Sequence, residues 1–353
     1  MSENAEIASW EAALNEVRAF VAANPSISMS PTSLSIPRDL REEFYGRVGA
    51  AQRALAADVL GEDAIGDVSH IARAAGEVRD AIVERSDLTA FHLPQELETL
   101  IADPAEALAK PAFGMVLDAL QNDWDADAVV ARAVSELPHH ASVLRRCAYE
   151  AWAYYGVVLA LEPVRFKEVF SRNTVDVETA ATGEITVGRQ ITSPERRMPE
   201  AAFECADGRV FAMKSEVARE LDYYGVKIKR RRDMSLGGNS VDQIAHRVLL
   251  LYRVPSLDEV PLIADRDHLK VLASDLMLEA LQPEDMKPGL AASMFLERLE
   301  TMHPKRPVQV LTETDEGSFP CEVMADPRAK LFERTVVGRD TNALKSIAGK
   351  LSE

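Results

Sequence analysis

The period of the apolar residues changes along this chain, and that change limits the folds open to it. Up to about residue 161 apolar side chains recur at three- and four-residue intervals, and beyond Pro163 they begin to alternate. The first period is that of a helix with one covered face, the second that of a half-covered strand. The spacing predicts helices over 4–23 (Ile7, Trp10, Leu14, Val17, Phe20), 38–60, and from Asp67 or Ser69 through Ile82. Shorter helices follow at 94–102, 104–121 and 125–137, then an apolar one at 142–161. The stretch 26–37 has no period and reads as a connector. His139 and His140 fall at the junction of two predicted helices.

After Pro163, 174–178 and 184–187 read as strands. Asp207-Gly208 between 202–205 and 209–213 predicts a hairpin, because that dipeptide tolerates the positive φ angles of a tight turn. A helix is expected over 214–224 with Ser215 as its cap and Gly225 as its stop. Ser240 and Gln243 form a capping-box pattern opening a helix at 241–253. Further helices are expected at 268–281, 287–302 and 341–351, and paired strands at 308–311 and 319–323. The expected class is α+β and predominantly α. An acidic helical bundle over 1–162 precedes a small antiparallel sheet with flanking helices over 163–353.

Charge is the second constraint. The 353 residues carry a formal net charge of −17. Residues 1–140 hold 24 acids and 10 bases, whereas 141–353 hold 33 and 30. The N-terminal portion repels phosphate backbones, so a nucleic-acid surface belongs to the C-terminal portion. There, 189–232 contains 11 bases and 7 acids, including Lys227, Lys229, Arg230, Arg231 and Arg232 in six residues. Arg189, Arg196, Arg197 and Arg209 belong to the same basic region. Gly237 and Gly238 lie before a predicted helix start, where free backbone N–H groups suit an anion. GxxxxGK[ST] is absent. The competing reading is that these cations dock on the chain's own acidic half or on an acidic partner.

Chemistry is less well marked. Asp265, Asp267 and His268, with Asp242 and His246 one turn apart, offer a carboxylate–imidazole set for a divalent ion. They suit helix caps and an ordinary ion pair equally well. Lys214 after the hairpin, with Glu204 on it, fits a nuclease-like arrangement only loosely. Cys147, Cys205 and Cys321 form no CxxC pair and no disulfide framework. No GxSxG elbow or GxGxxG fingerprint occurs. No signal segment or apolar run long enough for a membrane span is seen, so a cytoplasmic protein is expected. The expected function is a non-enzymatic binding or assembly subunit using the basic segment toward a protein partner, without a cofactor. A nucleic-acid-binding protein and a metal-dependent hydrolase are the alternatives.

Overall fold

The computed structural model describes residues 9–171, 177–188, 198–215, 248–263, 272–281, 304–315 and 327–351. The chain divides into two compact units, Met1–Ala72 with Thr99–Arg145, and Arg73–Glu98 with Arg146–Glu353.

The first unit is helical. Helix α1 (Trp10–Ala23) starts on Ser9, whose Oγ accepts the Ala12 N–H, and buries Trp10, Leu14, Val17 and Phe20. The connector closes into a hairpin of β1 (Ser28–Ser30) and β2 (Ser33–Ser35). The span Arg41–Arg85, α2, holds two helical segments that meet at a kink next to the predicted stop at residue 60. Its break is a single residue, Gly61, at φ 74° and ψ 162°, a conformation open essentially to glycine alone. The predicted pair of helices, with its first stop near residue 60, is present, although the second helix begins ahead of the expected Asp67 or Ser69. Helices α3 (Gln95–Ala102), α4 (Pro104–Ala109) and α5 (Ala112–Gln121) follow. The expected helix 104–121 is interrupted before Pro111, which has no N–H to continue a ladder.

Helix α6 (Ala126–Ala160) joins the two helices predicted at 125–137 and 142–161, passing straight through Pro138. The histidine pair accordingly lies inside a helix instead of in a loop. His140 Nε2 is 3.1 Å from the Ala107 carbonyl oxygen, and burial, ahead of the charges of Lys110 and His139, holds its pKa below the ordinary 6.5. The unfolded chain therefore binds the proton more tightly than the folded one. Stability is complete above pH 6.5 and falls as pH drops from there through the folded-state value. Thermal unfolding between pH 8 and 5 is expected to show this loss, and His140→Gln, which keeps an N–H for Ala107, should flatten it.

The second unit corrects the expected fold class. Its sheet has eight strands in the order β12-β11-β10-β9-β8-β7-β4-β5 and is mixed, not small and antiparallel. The strands are β4 (Pro163–Phe170), β5 (Glu178–Ala180), β7 (Ala201–Cys205), β8 (Val210–Ser215), β9 (Val248–Val254), β10 (Leu276–Leu281), β11 (Val308–Thr312) and β12 (Phe332–Val336). The hairpin β7–β8 is where the sequence places it. Strand β6 (Glu184–Thr186) does not pair with β5; it runs parallel to β3 (Ala90–His92). The β10–β11 and β11–β12 pairs are parallel.

The described parts of two expected helices, 241–253 and 268–281, contain strands. Val248-Leu249-Leu250-Leu251-Tyr252 falls in β9, and Leu276-Met277-Leu278 opens β10. Both strands are covered on both faces, so they show continuous apolar runs without the alternation of a half-exposed strand. One face carries Ala202, Ala212, Leu250, Tyr252, Met277, Val308 and Val310 in a single apolar cluster. The other carries Phe166, Phe203 and Phe211, directly opposite one another on β4, β7 and β8, with centroids 5.5 and 5.7 Å apart. Phe91 and Tyr155 of α6 pack edge-on at 5.1 Å, and Phe91 meets Phe166. A closing helix, α7 (Thr341–Gly349), is present as expected. No described helix is long and apolar enough to cross a membrane.

Candidate binding surface at one end of the sheet

The registers make β4, β8, β10, β11 and β12 run in one direction, against β5, β7 and β9. One end of the sheet thus gathers the carboxyl ends of five strands, at Phe170, Ser215, Leu281, Thr312 and Val336. The first residues of β7 and β9 lie at that end as well. In open sheets with parallel strands this is where ligands are generally bound.

Strand ends leave backbone donors without a ladder partner, and a buried donor must find another. Strand β7 begins at Ala201, so the Ser215 N–H extends past its pairing with β8. The carboxylate of Glu200, mostly buried, fills the gap. Its Oε2 accepts the Ser215 N–H at 2.9 Å and the Ser215 hydroxyl at 2.9 Å, and its Oε1 accepts the Gly188 N–H at 3.0 Å. The Glu200 backbone N–H reaches Met213 O, and Val169 N–H donates to Glu200 O. Tyr155 Oη lies 2.7 Å from Ser215 Oγ; since that hydroxyl donates to Glu200, the tyrosine is the donor in this pair. The β9–β10 ladder stops at the Val248–Glu279 pair, and the next donor, Ala280 N–H, is taken by Tyr154 Oη at 2.9 Å. Two adjacent tyrosines of α6 thus satisfy polar groups at this end.

Two further charged side chains are buried near the same end. Lys214 and Glu279 are 2% and 1% exposed and share a face, since Lys214 is opposite Leu250 and Glu279 opposite Val248. Burying such groups costs several kcal/mol each unless other groups compensate them. Sequence reading missed Glu279 as well as Glu200, and it put Lys214 and Ser215 at the start of a helix. They are the last two residues of β8. Glu204, the other member of the nuclease-like pair, is opposite Val210 and bound by Arg165 Nε at 2.7 Å, four residues along the strand from Lys214. That spacing is about 13 Å, and the two side chains do not form one site.

Of the basic residues singled out, Arg209 is described, and it is engaged locally. Its Nε donates to Asp207 at 2.6 Å and its guanidinium lies 5.7 Å from the Phe211 ring. Arg189, Arg196, Arg197, Lys227, Lys229, Arg230, Arg231, Arg232, Gly237 and Gly238 lie outside the described residues. So do Asp242, His246, Asp265, Asp267, His268 and Cys321. Among the described residues no cluster of three or more His, Cys, Asp or Glu side chains is arranged to hold a metal ion. Cys147 and Cys205 are buried, and burial pushes the Cys205 thiol up to about 12, so it is no nucleophile near neutrality.

The described ends of the basic stretches are informative. Gly188 and Met198 flank 189–197, and Ser215 and Val248 flank 216–247. Glu200 binds Gly188 and Ser215 at once, so one carboxylate ties together the roots of both stretches. The chain matches no protein-family model, no curated protein and no solved structure.

Proposed function

We propose that this chain is a non-enzymatic binding or assembly subunit whose surface for an acidic protein partner is supplied by Arg189, Arg196, Arg197 and the 227–232 run. The observation that carries this reading is the Glu200 clamp, which roots both basic stretches at one end of the sheet. Charge accounting supports it. Arg165, Lys167, Arg209, Lys305, Arg339 and Lys350 each have a carboxylate of the same unit within hydrogen-bonding distance. These six cations are already neutralised within the unit and add little attraction for a foreign anion.

The test is binding of a labelled oligoglutamate peptide to the full chain, against a variant with Lys229, Arg230, Arg231 and Arg232 all changed to alanine. Exposed ion pairs contribute about 0.2–1 kcal/mol each, so losing four should weaken binding roughly thirtyfold. Affinity should also fall with salt. Unchanged affinity in the variant would remove this surface. Tighter binding of a single-stranded oligonucleotide of equal charge would assign it to nucleic acid instead.

A further inference from the structure

The corner between α4 and α5 lacks one backbone donor, and a titratable ring from α6 supplies it. Along a continuing helix the Ala107 carbonyl would accept the N–H of residue 111, four positions on. Residue 111 is proline and has no N–H to give. Ala107 is buried, and a buried carbonyl needs a partner within the protein. His140, 33 residues away in sequence, brings its Nε2 to 3.1 Å from this oxygen. A carbonyl oxygen only accepts, so Nε2 is the protonated nitrogen and Nδ1 is the one that takes up a second proton.

The surroundings oppose that second proton. The ring is half-buried, and Lys110 in the corner and His139 beside it on α6 add positive charge. The carboxylates closest to the pair in sequence are engaged elsewhere. Asp103 caps α4 by accepting the Glu106 N–H, Glu106 is bound by Gln52 and Arg53, and Glu136, one turn before His140, is bound by Arg132. Burial, then Lys110 and His139, hold the docked ring below its ordinary 6.5. A ring swung out into water therefore binds the proton more tightly than the docked one, and acid favours release.

Release need not carry the whole unit with it. Farther along α5, Met115, Val116 and Ala119 are buried in the helical core, and α1 is anchored there by Trp10, Leu14, Val17 and Phe20. The corner itself is a short helix end joined to a proline, and such segments open locally at lower cost than the core.

We propose that His140 is an acid-released latch, holding the α4–α5 corner to α6 near neutral pH and freeing it in acid while the rest of the helical unit stays folded. The device rests on the helical unit alone and is independent of the sheet-end reading.

Hydrogen exchange of the full chain between pH 8 and 5, corrected for the intrinsic pH dependence of amide exchange, tests it. Protection over 104–113 should fall by up to about tenfold per pH unit below 6.5, while that of α1 holds. His140→Gln keeps a donor for Ala107 and does not titrate, so its protection should stay constant over the same range. Lys110→Ala, a change at an exposed side chain, should raise the docked ring's pKa and so reduce the total loss. Protection that is unchanged down to pH 5, that falls equally in His140→Gln, or that falls to the same extent in α1 would overturn the proposal. An NMR titration placing the His140 ring at or above 6.5 in the wild type would overturn it as well.

Discussion

Changing Glu200 to alanine is expected to destabilise the sheet unit by about 3–5 kcal/mol, because a buried N–H donor, a half-buried one and a buried hydroxyl lose one charged acceptor. Gly188 N–H, Ser215 N–H and Ser215 Oγ–H all end on this carboxylate, at 2.9–3.0 Å. Both amides lie where the β ladder has no further partner, so neither is compensated by another strand. Glu200→Gln keeps one acceptor oxygen and should lose roughly half as much. Urea unfolding followed by circular dichroism measures both. A loss under about 1 kcal/mol in the alanine variant would mean that the donors find other acceptors, and the clamp would not be what holds the two roots.

The second large effect is expected where α7 crosses α6. A Cβ on Gly156 would stand 2.5 Å from Cδ1 of Leu344, which is itself 1% exposed. A close-packed interior has no empty volume for the leucine to occupy, so Gly156→Val should cost about 3 kcal/mol by overpacking. Leu344→Ala alone should cost about 2–4 kcal/mol through the cavity it leaves. Together they should be clearly less than additive, since the valine occupies space that the leucine vacates. Additive losses in denaturant titrations would show that the two positions do not share this contact.

Much of the helical unit was legible because a half-covered helix displays its period. Trp10, Leu14, Val17 and Phe20 are buried on α1 as their spacing requires. What misled the reading there was proline. Pro138 sits inside α6 and so does not end it, while Pro111 separates α4 from α5. The sheet was harder for a physical reason. A strand covered on both faces has no alternation, so β9 and β10 resemble buried helix turns in sequence. The Asp207-Gly208 hairpin was readable because its turn chemistry is local. The parallel pairing of β10, β11 and β12 joins segments far apart in the chain and leaves no local mark.

The same distinction applies to the site. Runs of cations stand out in a sequence, whereas Glu200, Lys214 and Glu279 look like ordinary surface charges there. The burial of Lys214 and Glu279 follows from strand positions that only the register defines, and Glu200 lies just ahead of β7. Glu200 in particular acquires its role from Gly188 and Ser215, which lie 12 and 15 residues away.

Hydrogen–deuterium exchange of the intact chain, with and without saturating oligoglutamate, probes the binding end directly. Slower exchange is predicted in peptides covering 189–197 and 216–247 and at the adjoining ends of β7, β8 and β9, with the opposite end of the sheet unchanged. Bound peptide that leaves those segments unprotected, or protects the far end instead, would contradict the assignment of this end as the working surface.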